Sequence, residues 1–170
     1  MIFLFIQSLY FFLPVYVANM APVLFKWLPG EIPIHEKLCG QNKTWRGLVV
    51  ATLLGGLIFY LQKLAYQYGA RSFAIINYNA FPITLGFCMG AGAIFGDLVK
   101  SYYKRKAGLQ PGSRWIPWDQ LDFVIGGLLG TFIFYVPSVQ VAVILLIVSP
   151  LLHIVVNHLA FWCGIRKEKW

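Results

Sequence analysis

The feature that most constrains this chain is a series of long apolar stretches separated by shorter polar segments. Several of these stretches approach or exceed the ~20 residues that an α-helix needs to cross a hydrocarbon layer of ~30 Å. Charged residues make up 12% of the sequence, against roughly 25% in an ordinary soluble domain. The sequence therefore predicts an all-α integral membrane protein, in which lipid replaces much of a soluble core.

The apolar stretches predict five transmembrane helices in a single domain that spans residues 1–170. Their approximate bounds are 2–25, 47–66, 81–101, 119–136 and 139–164. The polar segments between the first and second helices and between the third and fourth lie at about 26–46 and 102–118. Pro14 and Pro22 predict kinks in the first helix. Because this helix lacks a preceding positive charge and a small-residue cleavage site, we interpret it as retained rather than as a signal peptide.

The positions of Lys and Arg predict the orientation of these helices. Two cations, Lys63 and Arg71, fall on one side of the membrane and twelve on the other. The twelve are Lys26, Lys37, Lys43, Arg46, Lys100, Lys104, Arg105, Lys106, Arg114, Arg166, Lys167 and Lys169. The positive-inside rule then places the N-terminus outside and the C-terminus in the cytoplasm. Topology and anionic lipid account for the net charge of +8, so no nucleic-acid partner is expected.

Three aspartates on the predicted cytoplasmic side form the candidate metal site. Asp97 lies near the cytoplasmic end of the third helix, where a carboxylate costs roughly 2.5 to 3.5 kcal/mol on insertion scales and needs a partner or a purpose. Asp119 and Asp122 open the fourth helix three residues apart and share a face. Carboxylates that meet beneath a basic loop suit Mg²⁺, which takes oxygen ligands and leaves room for substrate phosphates.

Each aspartate also has a purely structural interpretation. Asp119 and Asp122 are suited to cap and stabilise the start of a helix. Asp97 is suited to a buried ion pair with Lys100, Lys104 or Arg105. The convergence of all three at one predicted membrane depth, with surplus cations nearby, favours the metal site.

The cations fall into two blocks, one from Asn42 to Gly47 and one from Lys100 to Arg105. Lys and Arg near a helix start suit phosphate oxygens, although a solvated charge run facing lipid headgroups has the same composition. On the fifth helix His153 and Asn157 are four residues apart. Interhelical hydrogen bonding is the expected role of these two side chains. An aromatic pair, Trp115 and Trp118, precedes the fourth helix and is typical of interfacial anchoring, with stacking on a base as the alternative.

This pattern of polar residues resembles the signature of CTP-dependent cytidylyltransferases that make CDP-activated lipids. The matching positions are Gly96-Asp97-Leu98, Ser101, Lys104-Arg105, Gly108, Gly112 and Asp119-Gln120-Leu121-Asp122. The wider chain resembles the CDP-archaeol synthase branch of these enzymes. That likeness rests on the stretch from Pro14 to Phe25, the block from Asn42 to Gly47, and on His153, Asn157 and Trp170. It covers essentially the whole sequence.

The resemblance implies transfer of CMP from CTP to an isoprenoid ether-lipid phosphate, unsaturated archaetidic acid, to give CDP-archaeol and pyrophosphate. It implies a Mg²⁺-dependent enzyme of the cell membrane whose active site faces the cytoplasm. By this resemblance the metal ligands are Asp97, Asp119 and Asp122, and Lys104 joins them as a catalytic residue. The implied substrate-binding residues are Asn19, Lys43, Thr44, Arg46, Ser101, Arg105 and Asn157. The oligomeric state stays open.

Three other functions fit parts of the sequence. A CDP-diacylglycerol synthase would act on phosphatidic acid, and it differs only in its lipid chains. A small transporter would place its polar site near the midplane between repeats, whereas here the carboxylates lie toward one face and no convincing repeat is found. A scaffold protein without catalysis leaves Asp97 unexplained.

Overall fold

The computed structural model describes residues 2–110 and 113–164, and the regular secondary structure in these ranges is helical apart from one isolated bridge between Pro33 and Thr44. The α-helices in these ranges are α1 (Ile2–Phe11), α2 (Leu13–Leu24), α3 (Glu36–Cys39), α4 (Trp45–Gln67), α5 (Thr84–Lys106), α6 (Trp118–Phe132) and α7 (Val139–Trp162). Two 3₁₀ turns, Ala70–Phe73 and Tyr78–Ala80, connect α4 to α5. The sequence positions Gly112, Arg166, Lys167, Lys169 and Trp170 lie outside the described residues.

Within the described ranges, two helices are long and apolar enough to cross a membrane. These helices are α4 and α7, and the pair α1 and α2 makes a third candidate span if it is taken as one helix bent by 48°. The bend falls at Phe12, two residues before Pro14, which has no N–H to donate to the preceding turn. The structure therefore shows an all-helical chain with two or three candidate spans.

The two remaining long helices carry the polar site and fall short of that criterion for different reasons. α5 has 23 residues but ends in a basic turn of Lys104, Arg105 and Lys106. α6 has only 15 residues, fewer than the ~20 that a straight crossing needs. The count of five spans, like the orientation, stays a prediction.

The bounds of the helices differ from the sequence-based ones mainly around α5. The predicted polar segment was to begin at residue 102, yet the helix continues to Lys106 and its chain reverses at Gly108, which has a φ of +74°. Cations are favourable in the last turn of a helix because they face its negative dipole end. Hydropathy falls at residue 102 while the helix itself does not end there.

α5 is the central helix and meets its neighbours backbone to backbone. On one side a Cβ at Gly90 would lie 2.6 Å from the carbonyl oxygen of Ala51 on α4. On the other side a Cβ at Gly96 would collide with the carbonyl oxygen of Asp122, and one at Gly126 would lie 2.9 Å from the Cα of Gly96. Only glycine permits these approaches. The close contact of α5 with α6 places the residue after Gly96, which is Asp97, beside Asp122.

α2 covers this helical layer and connects it to α7. Val15 and Ala18 of α2 are fully buried in the core, and a Cβ at Gly127 of α6 would lie 2.6 Å from the Val15 methyl groups. The Tyr16 hydroxyl lies 2.7 Å from the Ser149 hydroxyl of α7. The bend between α1 and α2 therefore brings α2 across the helices that carry the aspartates.

Candidate active site

The centre of the polar cluster is the amine of Lys100, which lies among three carboxylates. Its Nζ is 3.0 Å from Asp97 Oδ1, 3.2 Å from Asp119 Oδ1 and 2.8 Å from Asp122 Oδ2. The side chain of Asp122 is 5% exposed and that of Lys100 is 15% exposed. The three aspartates that the sequence singled out therefore meet around a single point, and a lysine amine occupies that point.

Two further lysines complete the cluster. Lys43 donates to Asp97 Oδ2, and Lys104 donates to both carboxylate oxygens of Asp119, at 2.8 and 3.0 Å. Lys104 is buried, with 7% of its surface exposed. Three ammonium groups thus face three carboxylates, so the formal charges in the cluster balance. A cluster with this balance tolerates burial far better than any of its charges alone.

Helical spacing explains how α5 and α6 present these groups. Asp97, Lys100 and Lys104 stand at i, i+3 and i+7 and so form one stripe along α5. Asp119 and Asp122 form a matching stripe on the first turns of α6. Because the glycine contact between the two helices lies at Gly96, the two stripes face each other.

The structural alternatives for the aspartates are partly realised. The N-cap position of α6 is Pro117, which makes no side-chain cap, so Asp119 does not cap the helix. Its Oδ2 instead accepts the Trp115 N–H at 2.6 Å and braces the preceding loop. Asp97 does form ion pairs, with Lys43 and Lys100. The ion pair predicted for Asp97 is therefore part of the cluster itself.

The loop between α2 and α4 is held in place by Arg46. Its guanidinium donates to the carbonyls of Lys26, at 3.0 Å, and Leu28, and lies 3.5 Å from Glu31. Thr44 is the N-cap of α4 and accepts the Gly47 N–H at 3.2 Å. Thr44 and Arg46, both implied as phosphate ligands, thus anchor the segment that carries Lys43 to Asp97.

The other implied substrate-binding residues lie on α2, α5 and α7. Ser101 is buried one residue after Lys100, and Arg105 donates to the Leu109 carbonyl. Asn157 of α7 lies 3.3 Å from Nε2 of His153. Asn19 is half-buried on α2.

The His153 ring connects α7 to the site. The centre of that ring lies 5.3 Å from the ring centre of Phe123, the residue after Asp122. The structure therefore places this part of α7 next to the first turns of α6.

A small pocket opens beside Lys43 and Asp97, with a cavity volume of about 30 Å³. Asn42 and Thr44 add polar atoms to its wall, and Ile94 adds an apolar surface. The pocket lies between the loop that follows α2 and the stripe of α5. It leads from solvent to one edge of the carboxylate cluster.

The donor atoms of the site fit a hard divalent cation, although the site as it stands holds an amine. Among residues 2–110 and 113–164, no three His, Cys, Asp or Glu side chains are arranged to hold a metal ion directly. The carboxylate oxygens of Asp97, Asp119 and Asp122 nevertheless surround one point at 2.8 to 3.2 Å, and oxygen is the ligand that Mg²⁺ prefers. The chemistry of these oxygen donors therefore suits Mg²⁺, while in the described arrangement the amine of Lys100 occupies the point between them.

The sequence predicted Lys100 only as an ion-pair partner of Asp97, and not as the group at the centre of the cluster, where it contacts all three aspartates. The sequence contained a signal, because Lys100 stands three residues after Asp97 and four before Lys104 on one helical face. What the sequence lacked was the glycine contact that sets α6 against that face.

The fold resembles that of a known intramembrane enzyme. A solved structure described as an intramembrane enzyme for archaeal membrane lipids biosynthesis is similar to this chain, with a TM-score of 0.69 and 27% identity. The similarity covers 88% of this chain and 92% of that one.

The chain belongs to the CDP-archaeol synthase family, since the family model for CarS-like CDP-archaeol synthase matches residues 1–170. The CDP-archaeol synthase of Methanococcus aeolicus is 31% identical to this chain, over 99% of it and 98% of the relative. That of Halorubrum lacusprofundi is 34% identical over 93% of both. The resemblance found from the sequence motifs is confirmed.

Proposed function

We propose that this chain transfers CMP from CTP to the phosphate of unsaturated archaetidic acid, giving CDP-archaeol and pyrophosphate. The observation that carries the proposal is the meeting of Asp97, Asp119 and Asp122 around one point between α5 and the first turns of α6. In a chain of this family, such a cluster is suited to nucleotidyl transfer. The paired lysines add the positive charge that polyphosphate substrates require.

The reaction needs alignment more than a strong base. The lipid phosphate is anionic at neutral pH, so one of its oxygens can form the new bond to the α-phosphorus of CTP without losing a proton to the protein. The bond from the α-phosphorus to the pyrophosphate oxygen breaks, and pyrophosphate leaves with that electron pair. Lys43 and Lys104, which flank the carboxylates, would neutralise the charge that grows on these oxygens.

Asp97, Asp119 and Asp122 are the residues that would hold Mg²⁺. The bound cation supplies Lewis-acid neutralisation of the phosphate oxygens. The three carboxylates come from two helices whose backbones touch at Gly96, so their spacing is fixed before substrate arrives. Such preorganisation is what makes electrostatic stabilisation effective.

The remaining substrate-binding residues divide into two groups. Arg46, Thr44 and Arg105 bond to backbone groups, and we assign them first to holding the loops that border the site. Ser101 on α5 and Asn19 on α2 would act as hydroxyl and amide donors for substrate oxygens. Asn157, with its partner His153 beside Phe123, would meet the lipid phosphate from α7.

We further propose that the chain crosses the membrane five times, with the N-terminus outside and the site toward the cytoplasm. With five spans, twelve of the fourteen Lys and Arg residues would fall on the side of the carboxylates, which supports this orientation. CTP is available on that side. α5 and α6 count as spans because their glycine contacts bury them against α4 and each other.

The test is to incubate purified protein in detergent with radiolabelled CTP and Mg²⁺, together with either unsaturated archaetidic acid or phosphatidic acid, and to measure labelled CDP-lipid. We expect CDP-archaeol to form and phosphatidic acid to be the poorer substrate. Turnover of neither lipid would refute the synthase proposal. A preference for phosphatidic acid would reassign the chain to CDP-diacylglycerol synthesis.

A further inference from the structure

Lys100 lies where the three carboxylates would have to bind a cation. Its amine makes ion pairs with Asp97, Asp119 and Asp122 at 3.0, 3.2 and 2.8 Å. No other lysine of the cluster contacts more than one aspartate in these pairs, since Lys43 meets Asp97 and Lys104 meets Asp119. Lys100 is therefore the one cation of the described cluster at its centre.

The amine and a divalent cation cannot share that point. Both need the same carboxylate oxygens, and Mg²⁺ binds oxygen at about 2.0 to 2.1 Å with near-octahedral demands. An ammonium group within ~3 Å of those oxygens would also repel the entering ion. Displacing Lys100 costs the protein three ion pairs, whereas removing Lys43 or Lys104 would cost ion pairs to one aspartate.

We propose that Lys100 is a built-in counter-ion that holds the three aspartates together in the metal-free enzyme and competes with the divalent cation for them. The inference rests on the metal site of the proposed function. It assigns Lys100 as a positioning residue that sets how tightly the site binds its cation. Without it, three carboxylates would face one another across the contact of α5 with α6.

The main experiment compares Mn²⁺ binding to wild-type protein, Lys100→Met and the matched control Lys106→Met, by electron paramagnetic resonance in detergent. Lys106 lies on the same helix but its side chain is exposed. Methionine keeps the length of lysine and removes its charge. We expect Lys100→Met to bind Mn²⁺ on the order of tenfold more tightly than wild type, because a competing charge is gone. Lys106→Met should bind as wild type does.

The same variants give a second readout in thermal unfolding. Metal-free Lys100→Met should unfold at a lower temperature than wild type, and added Mg²⁺ should raise its Tm by more than it raises that of wild type. Equal or weaker Mn²⁺ binding by Lys100→Met would overturn the proposal. If neither the wild-type protein nor Asp122→Asn binds Mn²⁺, the result would instead refute the metal site of the proposed function.

A measurement on the wild-type chain covers the case in which Lys100→Met does not fold. Amine acylation followed by peptide mass spectrometry reports how accessible each lysine is, with and without saturating Mg²⁺. Lys100 should be protected in the metal-free protein and react several times faster with Mg²⁺ bound, while Lys106 should not change. Protection of Lys100 that persists with Mg²⁺ bound would contradict displacement.

Discussion

The buried pair of Asp122 and Lys100 sets the residue-scale chemistry of the site. Their charged atoms are 2.8 Å apart, and the Asp122 side chain is 5% exposed. Asp122 Oδ1 also accepts the N–H of Phe123 at 2.6 Å. Oδ1 of this carboxylate thus accepts a backbone hydrogen bond, and Oδ2 pairs with Lys100. A substitution that removes only the charge can separate these two roles.

Asp122→Asn tests the cluster oxygen alone. Asparagine keeps an oxygen for the Phe123 N–H, so the protein should remain folded and elute as wild type does in size-exclusion chromatography. Its loss of charge should lower CDP-lipid turnover by about 100-fold or more, the range seen when one electrostatic group of an active site is removed. Glu36→Gln is the control, because Glu36 is exposed on α3. If Asp122→Asn turns over substrate at the wild-type rate, the charge of Asp122 is not needed for turnover, and its remaining role is to accept the Phe123 N–H.

The residues of the candidate site could be predicted from the sequence because charged side chains are scarce in its apolar stretches. Asp97 stands out because an acid within an apolar stretch is costly. The position of Lys100 was not predictable, because the crossing of α5 and α6 decides whether its amine meets three carboxylates or solvent. The bonds of Arg46 to the carbonyls of Lys26 and Leu28 likewise depend on how a loop of twenty residues folds back.

At the scale of elements, the contact of α5 with α6 determines the spacing of the aspartates. Gly92 and Gly96 on one helix face Gly126 and Gly130 on the other, and in each case a Cβ would meet backbone of the facing helix. A backbone cannot give way as a flexible side chain does, so the helices would have to separate. Separation moves Asp122 away from Asp97.

Gly126→Ala should therefore lower both activity and stability. A Cβ there would lie 2.9 Å from the backbone nitrogen and Cα of Gly96, so we expect a loss of about 1 to 3 kcal/mol in unfolding free energy, as for other overpacked sites. Turnover should fall at least tenfold, because misplaced catalytic groups lose rate steeply. Thermal unfolding and CDP-lipid assays measure the two effects. Leu129→Ala, whose side chain is 57% exposed on the same helix, should change turnover little; a Gly126→Ala variant with normal turnover and Tm would contradict the close contact.

The loop before α4 depends on Arg46 in the same way. Arg46→Met removes donors to the carbonyls of Lys26 and Leu28, so hydrogen exchange of amides in residues 26–44 should accelerate. The CTP concentration for half-maximal rate should rise, because Lys43 loses its support. Arg71→Met, which removes a cation that lies 5.6 Å from the ring of Tyr66, is the control and should leave exchange in 26–44 unchanged. If hydrogen exchange is unaltered in Arg46→Met, Arg46 does not hold this loop, and direct contact with a substrate phosphate becomes the favoured role.

Helix positions were predictable to within a few residues where apolar composition and helix ends coincide, as at α7, predicted from residue 139 and found from Val139. Helix ends were less predictable where a helix continues beyond its apolar residues into charged ones. α5 extends through Lys104, Arg105 and Lys106 because its last turn is stabilised by cations. The break at Phe12 also divides one predicted helix into two.

At the scale of the whole molecule, charge is concentrated at the end that carries the cluster. The loop before α4, the end of α5 and the start of α6 bring Lys43, Lys104 and Asp119 to the same end. Lys63 and Arg71 lie at the other end of the helices, near the 3₁₀ turns. The proposed orientation places the first of these ends in the cytoplasm.

Cysteine labelling tests this orientation. In a background with Cys39, Cys88 and Cys163 changed to serine, Arg71→Cys should react with a membrane-impermeant maleimide on intact cells. Lys106→Cys should react only after permeabilisation, because it lies at the end of α5 near the cluster. Both positions are exposed, so access and not burial decides the result. The reverse labelling pattern would invert the topology.

The backbone contacts of α5 also have a consequence for biosynthesis. α4 and α5 can pair as soon as both have left the ribosome, since Gly90 and Ala51 meet without any later residue. Two of the three carboxylates, Asp119 and Asp122, follow on α6. A nascent chain that ends before Trp118 would therefore retain the first helix pair but have only Asp97 to meet Lys100. If the proposed site is correct, catalytic competence would therefore require α6 to dock against α5, late in translation.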